Sequence, residues 1–203
     1  MSESVKAVSP TPGAEDRADD VRAMFDQIAP KYDRANRILS LGLDQSWRRG
    51  AIRLLKDKGQ GDVLDLCTGT LDLAEMLVRR GAKSVVALDF SAEMIAAGEH
   101  KIREDDPVRT VVADARELPL EDNSVDAIIC AFGLRNVPEL HRVVAECARV
   151  LRPRRASGRS RLLPADLLAV SLSSGHLQPL CGPCGWRSCD WISRGIQLPV
   201  RVH

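Results

Sequence analysis

The stretch "VLDLCTGTLDLA", residues 63–74, decides how this chain folds. Val63 to Leu66 read as a strand covered on both faces. Cys67, Thr68, Gly69 and Thr70 follow, small residues of the kind a backbone needs to bend sharply and let a ligand come close. Where another small residue is expected stands Leu71.

Working outward, the same alternation repeats. Val85 to Asp89, Thr110 to Ala113 and Ala127 to Phe132 are short apolar runs suited to buried strands. Between them Leu73, Ala74, Leu77 and Val78 form one helical stripe, and Ser91 is placed to cap a helix carrying Met94 and Ile95. After Pro138, the positions Leu140, Val143, Val144, Cys147 and Leu151 share one helix face. Strand and helix in strict alternation predict a parallel sheet with helices on both faces. Ligands bind such sheets outside the carboxyl ends of the strands, where the turn at 67–70 would lie.

A glycine-bearing turn after the first strand, with Asp89 ending the second, suits an adenosine ribose whose hydroxyls the carboxylate accepts. That pattern fits a nicotinamide dinucleotide as well. Two details point away from a pyrophosphate loop: Asp65 lies within the end of the first strand, and the spaced glycines are missing. Asp114, followed by Ala115 in "VVADA", ends the third strand where it can receive the exocyclic amine of an adenine.

Composition narrows the class. The chain has 203 residues, 44% of them hydrophobic, enough for one good core. A formal net charge of +1 gives no basic footprint for nucleic acid. No apolar run approaches a membrane span, and residues 1–20, rich in Ser, Pro, Glu and Asp, read as a disordered leader without a signal-peptide core. These features predict a cytoplasmic protein. Cys67, Cys130 and Cys147 sit in apolar segments and read as reduced core residues.

From about Val21 to Arg152 the chain resembles the class I, Rossmann-like methyltransferases that use S-adenosylmethionine (SAM), and closely the ubiquinone/menaquinone biosynthesis C-methyltransferases. "MFDQIAPKYDRANRILSLGLDQSWRR" is similar to that family's N-terminal signature, matching at Tyr32, Asp33, Asn36, Ser40 and Trp47, with Asp44 where the family commonly has His. "VLDLCTGTLDLA" is similar to its SAM turn, and "CAFGLRNVPE" (130–139) to its most distinctive segment. The resemblance implies that Asp65, Gly69, Thr70, Asp89, Asp114 and Ala115 hold SAM. It implies that Arg135 and Asn136, at the end of the fourth strand, act at the substrate, and that Tyr32 and Asp33 belong to a helical lid over residues 21–58. No metal is required. The implied substrate is a prenylated quinol, demethylmenaquinol or a polyprenyl benzoquinol precursor of ubiquinone, met at the inner membrane face. Two other readings compete: an inactive remnant of such an enzyme, and an NAD-dependent oxidoreductase, against which "FGLRN" argues.

This chain departs from the family in two places. The family has glycine at position 71, so Leu71 either joins the helix face with Ala74 and Val78 or projects into the pocket. After Pro153 nothing matches: residues 153–203 hold no Lys or Glu but seven Arg, seven Ser and three of the six Cys. Such a shift in composition is what a frameshift at or near Arg154 would give, with the last strands of the sheet missing or replaced and the fourth left as an edge. The "CGPC" at 181–184, even with His176 and Cys189, lacks the strand and helix that a redox or zinc site needs.

Overall fold

Asp62–Leu66 (β1) is buried almost throughout its length in the computed structural model of the protein, which describes residues 13–153, 170–173 and 176–179. Burial without alternation is the mark of a strand inside a parallel sheet. β1 lies between β2 (Ser84–Asp89) and β4 (Ala127–Ile129), with β3 (Val108–Val112) beyond β2, and every pair is parallel. Leu66 pairs with Leu88, and Asp65 with Ile129, so the carboxyl ends of β1, β2 and β4 finish within a residue of one level. The chain builds outward from β1 to β3 and then returns to β1's other side. That reversal opens a crevice between β1 and β4.

Successive β1 residues face opposite layers. Val63 joins Ala51, Ile52 and Leu55 of the α3 region, and Leu73, Ala74 and Leu77 of α4, in one core; Leu64 and Leu66 join Val143, Cys147 and Val150 of α6 in the other. Here α3 is Leu43–Leu54, α4 Asp72–Arg79 and α6 Leu140–Val150. The predicted cap is present: Ser91 Oγ accepts the Met94 amide at 3.1 Å and starts α5, Ala92–Gly98. Helices thus cover both sheet faces, as the alternation predicted.

Three elements differ from expectation, the first being β3, which runs Val108–Val112 rather than Thr110 to Ala113 and, lying at the sheet's edge, is half-buried to exposed rather than buried. A helix, α1 (Ala14–Ile28), begins inside the stretch expected to be a disordered leader. Its residues are mostly good helix formers, and it gains tertiary partners: Phe25 meets Phe90 edge-on at 6.2 Å, and Arg22 Nε donates to the Phe90 carbonyl at 2.9 Å. β4 stops at Ile129, short of the expected Phe132, because Phe132 has a left-handed backbone (φ 66°) and turns the chain away. The next residue must be glycine, since a Cβ on Gly133 would stand 2.2 Å from Cys67 Cβ. Among the described residues the parallel sheet ends at β4, joined on its outer side by the single bridge Val125–Leu151. β5 (Val170–Ser173) and β6 (His176–Pro179) pair only with each other, antiparallel. The cysteines of "CGPC", Cys189 and the proposed frameshift point at Arg154 lie outside the described residues.

Leu71 takes the positive φ that leucine resists (65°) and immediately precedes α4. Its side chain is fully buried in the core cluster with Ala74 and Leu77 and does not line the crevice. The left-handed backbone costs about 1–2 kcal/mol, which burial of the side chain outweighs. Leu71→Ala is therefore expected to lower the unfolding free energy by about 3 kcal/mol, and Leu71→Gly by about 1 kcal/mol less, because glycine leaves the same cavity but no strain. Urea unfolding of the two variants checks this: a Gly variant less stable than the Ala variant would show that position 71 carries no backbone strain.

Candidate functional site

Beyond Leu66 the chain must leave the sheet at once, and Cys67 and Gly69 do so with positive φ angles of 55° and 58°. The turn is fastened to the neighbouring strand: the Thr68 amide donates to the Leu88 carbonyl and the Gly69 amide to Asp89 Oδ2, at 2.9 and 2.8 Å. Asp89 Oδ1 accepts the Ser91 amide at 3.1 Å. Burial pushes the Asp89 pKa up, and the amides of Ser91, Gly69 and Phe90 oppose that by stabilising the anion. The carboxylate keeps acceptor capacity for ligand hydroxyls beside these amides.

Asp89 and Gly69 line a cleft of about 290 Å³ at the carboxyl edge of the sheet. Asp114 and Ala115 continue the wall, while Arg135 and Asn136 come from a 3-10 turn after β4 and Tyr32 from α2 (Tyr32–Leu39). Seven of the ten sequence-derived site residues therefore meet around one space. Arg135 is exposed and has no ion-pair or hydrogen-bond partner among the described residues. Asp114 is held by Arg116, whose Nε and Nη2 approach Oδ2 at 2.9 and 2.7 Å. Burial acts to raise the Asp114 pKa, but the Arg116 bonds prevail and hold it below the usual carboxylate range. Arg116 also donates to Glu139 Oε2 at 3.1 Å, bracing the third strand's end against the start of α6.

The other three residues lie behind the cleft. Asp65 is fully buried; Oδ2 accepts the Thr68 hydroxyl at 2.5 Å, and Oδ1 has no hydrogen-bond partner among the described residues, the Ala74 amide giving the anion only minor support. Thr70 donates to Asp33 Oδ1, and Lys101 Nζ reaches Asp33 Oδ2 (2.5 Å), Asp72 Oδ1 (2.6 Å) and the Thr70 carbonyl (2.8 Å). Burial raises the Asp33 pKa, but the Lys101 and Thr70 bonds outweigh it and leave it lowered. Asp33 thus ties α2 to the turn and does not face the cleft. Asp44 is buried on Arg48 at 2.9 Å and on Ser40 at 2.9 Å. Arg48 approaches Asp72 at 3.5 Å and stacks 5.5 Å above the Phe132 ring centroid.

Sequence reasoning missed Cys67, Phe90, Met94, Arg116 and Phe132, all lining the cleft. Phe90 and Arg116 had a signal, one and two residues from acids already singled out. Phe132 had none, because its place depends on a left-handed turn. The Cys67 thiol contacts the Cys130 thiol, and that contact followed by desolvation raises its pKa well above the ordinary thiol value. A thiolate nucleophile is not available there. No group of His, Cys, Asp and Glu among the described residues is arranged to hold a metal.

Residues 13–160 match the sequence model of the ubiE/COQ5 methyltransferase family. The chain is 38% identical over 143 residues to the ubiquinone/menaquinone biosynthesis C-methyltransferase of Geotalea daltonii, covering 68% of this chain and 61% of that protein. It is 42% identical over 130 residues to the demethylmenaquinone methyltransferase of Thermotoga maritima, covering 64% and 56%. It thus spans about three fifths of the length of these curated relatives. Phosphoethanolamine N-methyltransferase 1 of Haemonchus contortus, solved with phosphoethanolamine and S-adenosylhomocysteine, shares the fold at a TM-score of 0.62 and 21% identity, covering 71% of this chain and 33% of that one. The [4+2]-cyclase SpnF matches at a TM-score of 0.50 and 26% identity, over 54% and 41%. A cyclase on the same scaffold shows that the fold alone does not name the reaction.

Burial of Asp65 next to Asp89 has a measurable consequence. Desolvation raises its pKa to about 7 from 3.8, against the opposing Thr68 bond and the Arg48 charge. Folding therefore favours the protonated form. The stability this group contributes is complete below its unfolded pKa and is lost as pH rises through the folded one, at up to about 1.4 kcal/mol per pH unit. Asp65→Asn is expected to remove that slope between pH 5 and 7, roughly the window between the two values, and to be the more stable protein at pH 8. Parallel urea titrations of both proteins check this; identical pH slopes would mean that Asp65 is ionised in the fold.

Proposed function

The chain belongs to the ubiE/COQ5 methyltransferase family, and from that premise we propose that it transfers a methyl group from SAM to a ring carbon of a prenylated quinol. Demethylmenaquinol or a polyprenyl benzoquinol precursor of ubiquinone is the substrate class. One observation carries the reading: a single cleft has the amide-anchored carboxylate of Asp89 on one wall and, on another, the guanidinium of Arg135, which has no partner among the described residues.

The residues present fit SAM. Asp89 offers its free lone pairs to the ribose hydroxyls, and Gly69, at φ 58° with no side chain, leaves the backbone open where a Cβ would come within 3.3 Å of Met94 Cε. Asp114 and Ala115 would meet the adenine edge, with Phe90 and Met94 as apolar flanks. When bound, the sulfonium supplies an electrophilic methyl carbon. The protein's task is then to place a nucleophilic carbon in line with it, a positioning effect worth on the order of 7–11 kcal/mol. Arg135 stabilises the phenolate that makes the ring carbon nucleophilic, and Asn136 orients the water that takes the hydroxyl proton. Arg135 itself stays charged and cannot serve as the base. Met24, Phe25 and Ile28 give the cleft an apolar rim for a prenylated ring. The helices α1 to α3 form the lid, held down through Asp33 and Lys101 rather than hinged freely. Because the prenyl chain keeps the quinol in lipid, the protein works from the cytoplasmic side at the inner membrane face. No helix among the described residues is long and apolar enough to cross that membrane.

Two substitutions separate cofactor from substrate. Asp89→Ala is expected to abolish measurable SAM binding by calorimetry, since two charge-assisted bonds of roughly 1.5–3 kcal/mol each are lost together. Arg135→Ala is expected to keep SAM affinity within a few-fold and to lose turnover of demethylmenaquinol. Near-UV circular dichroism confirms that each variant is folded. Unchanged affinity in the first would place the cofactor elsewhere, and an unmodified chain that binds no SAM would favour the inactive remnant.

A further inference from the structure

The corner between α2 and α3 has a surface that the cleft does not use. Ile38, Leu39, Leu41 and Leu43 are 69, 83, 89 and 51% exposed, four large aliphatic side chains within six residues. The turn is well built: the Ser40 and Gly42 amides donate to the Asn36 and Arg37 carbonyls at 2.9 Å each. Leu41 and Gly42 are both left-handed, at φ 51° and 79°. Leu41 therefore accepts backbone strain while its side chain gains no burial within the chain, the reverse of Leu71.

The exposed charges along this stretch of chain have one sign. Between residues 31 and 54 the exposed charged side chains are Lys31, Arg34, Arg37, Arg49 and Arg53. Both acids of that stretch are already paired, Asp33 with Lys101, and Asp44 with the buried Arg48 and, at 3.6 Å, with the exposed Arg37, which leaves Lys31, Arg34, Arg49 and Arg53 as the cations without an acidic partner in this stretch. An apolar tip ringed by cations matches a layer of phosphates over hydrocarbon. A second copy docked here about a two-fold axis would instead set the same cations against themselves.

We propose that the α2–α3 corner docks on an anionic lipid bilayer, with the four aliphatic side chains entering the boundary below the headgroups and the basic ring pairing with lipid phosphates. Tyr32, Asn36 and Leu39 fall at i, i+4 and i+7, so one stripe of α2 runs from the cleft lining to the docked tip. A ring leaving the bilayer there would have one short helix to travel. This purpose rests on the quinol reading; the docking itself does not.

Sedimentation of the full chain with phosphatidylcholine vesicles, with and without one third phosphatidylglycerol, tests it with neither SAM nor quinol present. Binding is expected to be at least roughly tenfold tighter to the anionic vesicles and to weaken with salt. Leu39→Ser combined with Leu41→Ser should reduce it by roughly tenfold with an unchanged thermal melt, and Arg34→Glu should weaken only the anionic case. Equal sedimentation of variant and unmodified chain overturns the proposal. So does a chain that ignores vesicles, or a double variant whose sole effect is to turn a dimer into a monomer. A chain that binds anionic vesicles but no SAM sinks the methyltransferase reading and leaves the docking surface standing. One that methylates a short-chain quinol in detergent but ignores vesicles does the opposite.

Discussion

The bond from the Gly69 amide to Asp89 Oδ2, 2.8 Å long, is the contact on which the site depends. Parallel strands have no turn joining adjacent ends, so beyond the last ladder pair, Leu66 and Leu88, the turn after β1 is held to β2 by what Thr68 and Gly69 donate to Leu88 and Asp89. Asp89 accepts from Gly69 on one side and from Ser91 on the other, and so sets the turn before α4 and the start of α5 together. Its burial works against the negative charge, and the amides around it restore the balance. A carboxylate fixed in this way needs no rearrangement to receive a ligand.

Behind that turn a charged network holds the N-terminal helices. Lys101 is anchored by Asp33 and Asp72; Asp72 and Asp44 both face Arg48; and Arg48 lies over Phe132 on the far side of the cleft. Buried pairs of this kind add little net stability, because desolvation offsets much of the attraction. Their effect is geometric: each member is costly to leave unpaired, so α2, α3 and the two turns share one arrangement. Asp44 takes its place in this network by matching Arg48 one helical turn away.

Strain gathers at the same edge of the sheet. Cys67, Leu71, Phe132 and Glu139 all have positive φ without being glycine. Each such residue costs about 1–3 kcal/mol and persists only where packing overdetermines it. Leu71 is locked by the core it fills, and the Cys67 and Phe132 turns by the closeness of Cys67 to Gly133. The result is a floor of strained turns beneath N-terminal helices held by charge.

Much of this was legible in the residues. Uninterrupted apolar runs and helical stripes were enough for the parallel sheet, its flanking helices and the Ser91 cap, because burial of those side chains is the main favourable term and its period is visible in the chain. Asp89 and Gly69 could be named from their places at strand ends, and Arg135 from the resemblance that its segment carries. Other features could not be read. Asp33, Thr70 and Asp65 carry site-like patterns, yet they meet Lys101 and Thr68 behind the cleft, because a side chain's direction follows from the turn it leaves and the partner it finds. The start of α1 depends on contacts with Phe90, more than sixty residues away. Leu71 looked like an obstruction to the pocket; only the packed core, with room for its side chain beside Ala74 and Leu77, turned it into an interior residue. Local sequence therefore determined which segments became strands and helices. Tertiary structure decided which of their polar groups faced the ligand, since that depends on packing between residues far apart in the chain.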